Sequence, residues 1–300
     1  MTLPASRRLY ERAVVKVVKS LGWRQPISWN SSPLDFSWRI GRLLRASVDV
    51  LHLTDAFWEY PGFGPDQRRH LRAAAQSADV VVCTTDSIRD GVVELATPKR
   101  APKVVGHGVD VNRFSPAIDR PPPEGPITAV FVGRLDRRLD IDLVESLARA
   151  GVRVVLVGPS TLPAADGARL RAAGCELPGE VPYDALSAWM AGADVGIVPY
   201  QLVPSVVASR PLKLLEYLAA GLPVVTTPLP AAAELSPHAV VADRDGFIDA
   251  VRAVGAAERA RGDADRSQVR NGRVSRVRSE SWERRAQELS AVIEEARSNG

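Results

Sequence analysis

A chain of 300 residues is long for one hydrophobic core, and a balance of 45% hydrophobic to 25% charged residues excludes the fibrous and wholly disordered classes. Cys83 and Cys175 lie far apart without metal-ligand spacing, which excludes a disulfide framework or zinc module and fits reduced thiols in a cytosolic protein. The net charge of +4 is unevenly placed, since residues 1–45 alone carry nine bases against two acids.

Residues 5–21 open the chain as a helix, with Leu9, Ala13, Val17 and Leu21 on one stripe and basic residues elsewhere. Such a basic face is either solvated or docked on anionic lipid headgroups. Nucleic acid is not an expected partner, because zinc-finger, helix-turn-helix and RNP signatures are missing and the aromatics do not interleave with the bases. Met1 to Leu9 lacks the apolar core of a signal peptide, and no run of about 20 apolar residues would cross a bilayer. The expected location is cytoplasmic, at most peripheral at the inner face of the plasma membrane.

A short strand at Pro26–Trp29 and a helix near 35–46 lead to the strand Val48–Leu53, which ends in Thr54-Asp55-Ala56-Phe57-Trp58. Polar and aromatic residues at the carboxyl end of a strand are where open α/β sheets keep their chemistry. A helix about 65–77, the unbroken apolar strand Asp79–Thr84, a helix near Ser87–Leu95 and the strand Lys103–Val105 follow. Pro116, Pro121, Pro122, Pro123 and Pro126 then mark a linker.

The second half alternates more cleanly. Strands are expected at Ile127–Val132, Arg153–Val157, Cys175–Leu177, Val195–Val198, Pro223–Thr226 and Ala239–Val241, with helices between them, as in a doubly wound parallel sheet. Gly133-Arg134 and Gly158-Pro159 end two of these strands, and glycine there lets a ligand approach the backbone. The stretch Ser209 to Val225 reads as a helix with Pro211 in its first turn and Gly221 just past its end. Leu212, Leu215, Leu218 and Ala219 form an apolar face, and Lys213 and Glu216, three apart, share another. That pair is either a surface ion pair or a cation and an acid offered to an anionic ligand. Ala256–Arg278 reads as loop and helix, and Ser281–Arg297 as a final amphipathic helix.

Three of these segments together resemble one family. His107-Gly108-Val109-Asp110-Val111-Asn112-Arg113-Phe114 is similar to the interdomain signature of two-domain GT-B glycosyltransferases related to family 4. Phe131-Val132-Gly133-Arg134-Leu135 resembles the first strand and turn of their donor domain, and the Lys213–Glu216 helix followed by Gly221-Leu222-Pro223-Val224-Val225 resembles their donor-binding helix. The resemblance implies an α/β protein with two Rossmann-like doubly wound domains. These would be a shortened acceptor-side domain at 1–116, a Pro-rich linker at 117–126, a nucleotide-sugar donor domain at 127–280 and a C-terminal helix at 281–300.

It also implies roles. Glu216 would accept hydrogen bonds from the ribose hydroxyls, Arg134 and Lys213 would neutralise the diphosphate beside Gly133, and backbone N–H groups around Ser209 and Arg210 would hold it. The loop containing Val181 and Tyr183 would receive the base. No metal or cofactor is expected, because cationic side chains stabilise the leaving group; the nucleoside diphosphate sugar is a co-substrate. His107 is either a cleft contact or a hinge residue. The acceptor would be a cell-surface glycan or a lipid-linked glycan.

The chain departs from the family pattern in three places. Ala208 stands where family 4 usually has a glutamate for the donor sugar. The lysine usual after the Gly-Arg turn is absent from Leu135-Asp136-Arg137-Arg138-Leu139-Asp140. Both features are similar to a bacterial surface-polysaccharide branch of the teichuronic-acid type. With Ala208 in place the reaction is not assigned as retaining, and an inverting reaction would need a base, for which Asp55 is the candidate beside its alternative as a structural cap. The opening strand and glycine-rich loop of a GT-B acceptor domain are also missing, so an upstream start codon and a non-catalytic homologue that binds nucleotide sugar or a partner are the competing expectations.

Overall fold

The structure, a computed structural model, describes residues 4–33, 36–115 and 121–298. The expected linker at 117–126 lies partly outside these residues. In chain order the first elements are α1 (Pro4–Ser20), β1 (Ile27–Asn30), α2 (Arg39–Leu44), β2 (Val48–Leu53), α3 (Pro65–Ser77), β3 (Val80–Cys83), α4 (Asp86–Ala96), β4 (Lys103–Val104) and α5 (Val111–Phe114). Next come β5 (Thr128–Val132), α6 (Ile141–Arg149), β6 (Arg153–Val157), α7 (Ala164–Ala172), β7 (Glu176–Gly179), α8 (Leu186–Ala191) and β8 (Val195–Val198). The remainder is α9 (Pro204–Val207), α10 (Lys213–Ala219), β9 (Val224–Thr226), α11 (Pro230–Ala233), β10 (Ala239–Val241), α12 (Phe247–Ala260), α13 (Asp263–Arg278) and α14 (Trp282–Ser298).

The chain divides into two compact units, residues 1–106 with 285–300, and residues 107–284. The first holds a parallel sheet in the order β1-β2-β3-β4. The central strands β2 and β3 are nearly all buried, and β3 is an unbroken apolar run because both faces are covered, whereas the edge strands β1 and β4 are part-exposed. One cover is α14, whose Leu289, Val292, Ile293 and Ala296 pack on Val48, Val50, Val80 and Val82. Residues 285–298 therefore belong to the core of the first unit, where the sequence suggested a separate terminal element.

The second unit holds a parallel sheet in the order β10-β9-β8-β5-β6-β7. It begins at His107, earlier than the Pro-rich stretch, because Phe114 is fully buried in this unit's core and the Val109 amide donates to the Glu280 carbonyl at 2.9 Å. Helix α10 ends as expected for a glycine in the left-handed region: Gly221 has φ +71°, its amide donates to the Leu218 carbonyl, and the Leu222 amide donates to the Tyr217 carbonyl at 2.8 Å.

The expected amphipathic face of α10 is absent. Every residue from Lys213 to Ala219 is buried. The cause is α13, which packs across α10 although its Arg-rich sequence reads as solvated. Arg270 and Arg273 are buried against Glu258 of α12 at 3.1 and 2.8 Å, and Arg273 also donates to the Gly221 carbonyl at 2.8 Å.

Candidate functional site

In an open α/β sheet a ligand crevice opens where neighbouring strands send their connections to opposite faces. In the second unit that point lies between β5 and β8, which are adjacent although β5 continues to β6 and β8 to β9. At the carboxyl end of β5 the backbone turns through Gly133, at φ +130°. The neighbouring Gly158 after β6 has φ +141°, and a Cβ there would meet the Gly133 carbonyl oxygen at 2.2 Å. Glycine at 158 is therefore a packing requirement for the Gly133 turn.

Lys213 reaches this turn from α10. A Cβ on Gly133 would lie 3.4 Å from its Nζ. The ammonium donates to the Tyr200 hydroxyl at 2.5 Å and lies 4.6 and 4.7 Å from the ring centres of Phe131 and Tyr200. Lys213 is buried, and among the described residues no carboxylate lies within ion-pair distance of it. A buried cation whose direct contacts are a hydroxyl and two ring faces, with the carboxylates of Glu216 and Asp136 acting on it only from beyond ion-pair distance, is able to take an anionic ligand.

Tyr217, one turn further along α10, explains why the turn is held there. Its hydroxyl accepts from the Val132 amide at 2.8 Å, and its ring fills space left by Gly196 of β8, where a Cβ would meet ring carbons at 2.5 Å. One helix thus positions both the cation and the strand end beneath it.

Glu216 is buried on the same helix and accepts from the Tyr183 hydroxyl at 2.9 Å. Burial pushes its carboxyl above the ordinary range, against the pull of the Tyr183 hydrogen bond and the Lys213 charge. Tyr183, half-exposed, packs edge-on to Phe114 and carries the Arg113 guanidinium over its ring at 4.9 Å. The residues expected to receive base and ribose, Tyr183 and Glu216, are therefore in direct contact, while Val181 packs on the core beside them.

Other expected residues are placed differently. Arg134 is exposed beside Gly133. Ser209 donates both its amide, at 3.1 Å, and its hydroxyl, at 2.8 Å, to the Val206 carbonyl, so neither is left to hold a phosphate. The reason is α9, a helical turn not read from the sequence, whose end consumes those donors. Arg210 is half-buried and pairs with both carboxylate oxygens of Glu280 at 2.8 and 3.1 Å. Ala208 is buried and offers no acid. His107, half-buried, is the first residue of the second unit. Asp55 belongs to the first unit, just past β2, where its carboxylate accepts from the Thr54 hydroxyl at 3.2 Å and its carbonyl accepts from the Phe57 amide.

Sequence reasoning missed Tyr200 and Arg138. Arg138 grips Asp136 through two nitrogens, at 2.9 and 2.7 Å, and lies 5.5 Å from the Tyr200 ring centre. Burial raises the Asp136 carboxyl, but the Arg138 hydrogen bonds outweigh it and hold it below the usual range. The position of Tyr200 two residues after β8, at the switch point, was the available signal. Among the described residues no cluster of His, Cys, Asp and Glu is arranged to hold a metal.

The chain is similar to known proteins. Residues 126–256 match the family described as glycosyl transferases group 1. A protein of Bacillus subtilis (strain 168) named as the teichuronic acid biosynthesis glycosyltransferase TuaH is 32% identical over 175 residues, which is 53% of this chain but only 43% of that protein. Among solved structures, a glycosyltransferase from Rickettsia africae aligns with 100% of this chain and 83% of its own at a TM-score of 0.76 and 12% identity. HepE of Anabaena, solved with UDP and glucose, aligns with 94% of this chain and 80% of its own at a TM-score of 0.69 and 15% identity. Sucrose-phosphate synthase from Thermosynechococcus elongatus gives a TM-score of 0.71 at 16% identity over 97% of this chain and 78% of its own. The fold is that of the GT-B glycosyltransferases.

Proposed function

We propose that the chain transfers a sugar from a nucleoside diphosphate sugar to a cell-surface glycan or lipid-linked acceptor, without a metal or cofactor. The observation that carries this reading is Lys213, a buried ammonium at the switch point that contacts a hydroxyl and two aromatic faces and, among the described residues, has no carboxylate within ion-pair distance. In this reading Lys213 takes the diphosphate beside the Gly133 turn, and Arg134 closes over it from solvent. Glu216 takes the ribose hydroxyls, exchanging its Tyr183 hydrogen bond for them, and the Tyr183–Val181 loop receives the base.

The transfer breaks the bond from the anomeric carbon to the phosphate oxygen and forms one to an acceptor oxygen. The electron pair leaves with the diphosphate, whose growing charge Lys213 stabilises. The acceptor proton passes to a base, and Asp55 is assigned that role for an inverting reaction. Donor chemistry then lies in the second unit, residues 107–284. HepE was solved with UDP, so UDP is the first probe. The basic residues of the N-terminal segment place the enzyme against an anionic membrane on its cytoplasmic side, near a lipid-linked acceptor.

The test is calorimetric titration of the full chain with UDP and with uridine. Lys213→Met is expected to weaken UDP by about 1.5–3 kcal/mol, the worth of a hydrogen bond to a charged group, and to leave uridine nearly unchanged. Equal loss for both ligands, or loss for neither, overturns the phosphate assignment. UDP binding without sugar transfer to lipid extracts, together with an indifferent Asp55→Asn, would favour a non-catalytic homologue.

A further inference from the structure

Helix α1 has three sides. At about 100° per residue, Arg7, Glu11, Val14, Val15 and Val18 share the one that packs, where Glu11 is buried and accepts from Arg39 at 2.9 Å. The sector beginning at Leu9 and running through Ala13 and Val17 to Tyr10 faces water, with Leu9 67%, Val17 57% and Tyr10 51% exposed. Beside it runs a row of exposed cations, Arg8, Arg12, Lys16 and Lys19. The helix then turns at Gly22, φ +71°, leaving Leu21 56% and Trp23 60% exposed next to Arg24. The stripe that the sequence marks as the helix's apolar side is thus the side the fold leaves uncovered.

A row of large apolar side chains in water, bordered by bases, is the pattern of a helix that lies in a membrane interface. We infer that α1 and the turn after it are an interfacial anchor, with Leu9, Val17, Leu21 and Trp23 entering the boundary between headgroups and acyl chains. Arg8, Arg12, Lys16 and Lys19 pair with the phosphates of anionic lipids around them. An anionic bilayer is the occupant because neither exposed sector contains an acid, Glu11 being on the packed side. This deepens the proposed function by assigning membrane contact to apolar insertion as well as charge, and it rests on that reading only for the presence of a lipid-linked acceptor.

Co-sedimentation of the full chain with vesicles tests it. Vesicles of phosphatidylcholine with roughly one lipid in three as phosphatidylglycerol should pellet the protein, and phosphatidylcholine alone should bind it at least about tenfold more weakly. The triple variant Leu9→Ser, Val17→Ser, Leu21→Ser alters only exposed positions and should lose about tenfold or more on the anionic vesicles. At 1 M salt, where screening acts over about 3 Å, the wild type should keep part of its binding and the triple variant none. Arg12→Gln with Lys16→Gln and Lys19→Gln should instead abolish the preference for anionic lipid. UDP titration of all variants should be unchanged, so failure of the donor assignment and failure of the anchor are separately visible. The inference is overturned if the wild type stays in the supernatant with anionic vesicles or if the triple variant binds as the wild type does. It is also overturned if the wild type forms a dimer that Val17→Ser dissociates, because the stripe then belongs to a second copy of the chain.

Discussion

Lys213 and Glu216 are the residues on which the donor reading depends, and their burial separates two effects that a surface pair would merge. Removing Lys213 as Met deletes a buried charge without a carboxylate partner and fills its volume with apolar atoms, a change that is neutral or stabilising in other buried ion sites. Loss of UDP affinity with an unchanged or raised unfolding midpoint is therefore expected, and a fall in both would mean that Lys213 acts through packing. Glu216 allows a test by pH. Its ionised form is the stronger acceptor for two ribose hydroxyls, and burial has raised its pKa, so protonation begins at a less acidic pH than for an ordinary glutamate. UDP affinity should rise with pH through the acidic range more steeply in the wild type than in Glu216→Gln, where only the ligand's own phosphate titration is left, as measured by titration at fixed ionic strength. At this scale the sequence identified the pair and the glycine turn, because residue type and order carry that information. Tyr200 and the commitment of Arg210 to Glu280 were hidden, since both depend on partners 13 and 70 residues away.

Among the elements, the least legible was the packing around α10. A lysine and a glutamate in a leucine-rich helix read as an amphipathic pattern, and an Arg-rich stretch reads as solvent-facing; neither reading anticipates that α13 covers α10. What reverses both is Glu258, which neutralises two buried arginines from a third helix. The tie continues to the Gly221 carbonyl through Arg273, so the end of α10 is fastened by the same group of charges. Glu258→Ala should leave Arg270 and Arg273 buried without their carboxylate and cost about 3–5 kcal/mol in denaturant unfolding. UDP affinity should fall as well, though Glu258 lies on another helix and is not assigned to the ligand. A cost below about 1 kcal/mol, in the range of surface pairs, would show that solvent reaches the cluster. By contrast the strands and the Gly221 helix end were legible, because continuous apolar runs and a glycine after a helix are local signals.

Across the whole molecule, each unit has its own hydrophobic core, and each carries one group whose state should report on it alone. In the first unit that group is Asp49, whose carboxyl is pushed up to about 6 by burial, with Asp79 adding to the shift and Ser28, Lys99 and Arg42 opposing it. Gly41 lies against it, since a Cβ there would meet the carboxylate at 2.5 Å. Because the folded pKa is the higher one, the native state holds the proton that the unfolded chain has lost between pH ~4 and ~6. Stability of the first unit should therefore fall as pH rises through that window, by on the order of 3 kcal/mol, and level off above it. In the second unit the reporter is the proposed donor site, where UDP at a hundred times its Kd should add about 2.7 kcal/mol. Scanning calorimetry of the full chain should then show two transitions: one that shifts between pH 4 and 6 and becomes flat in Asp49→Asn, and one that shifts only with UDP. A single transition that moved with both would mean that the two cores unfold together, and the donor half could not be treated as an independent binding unit.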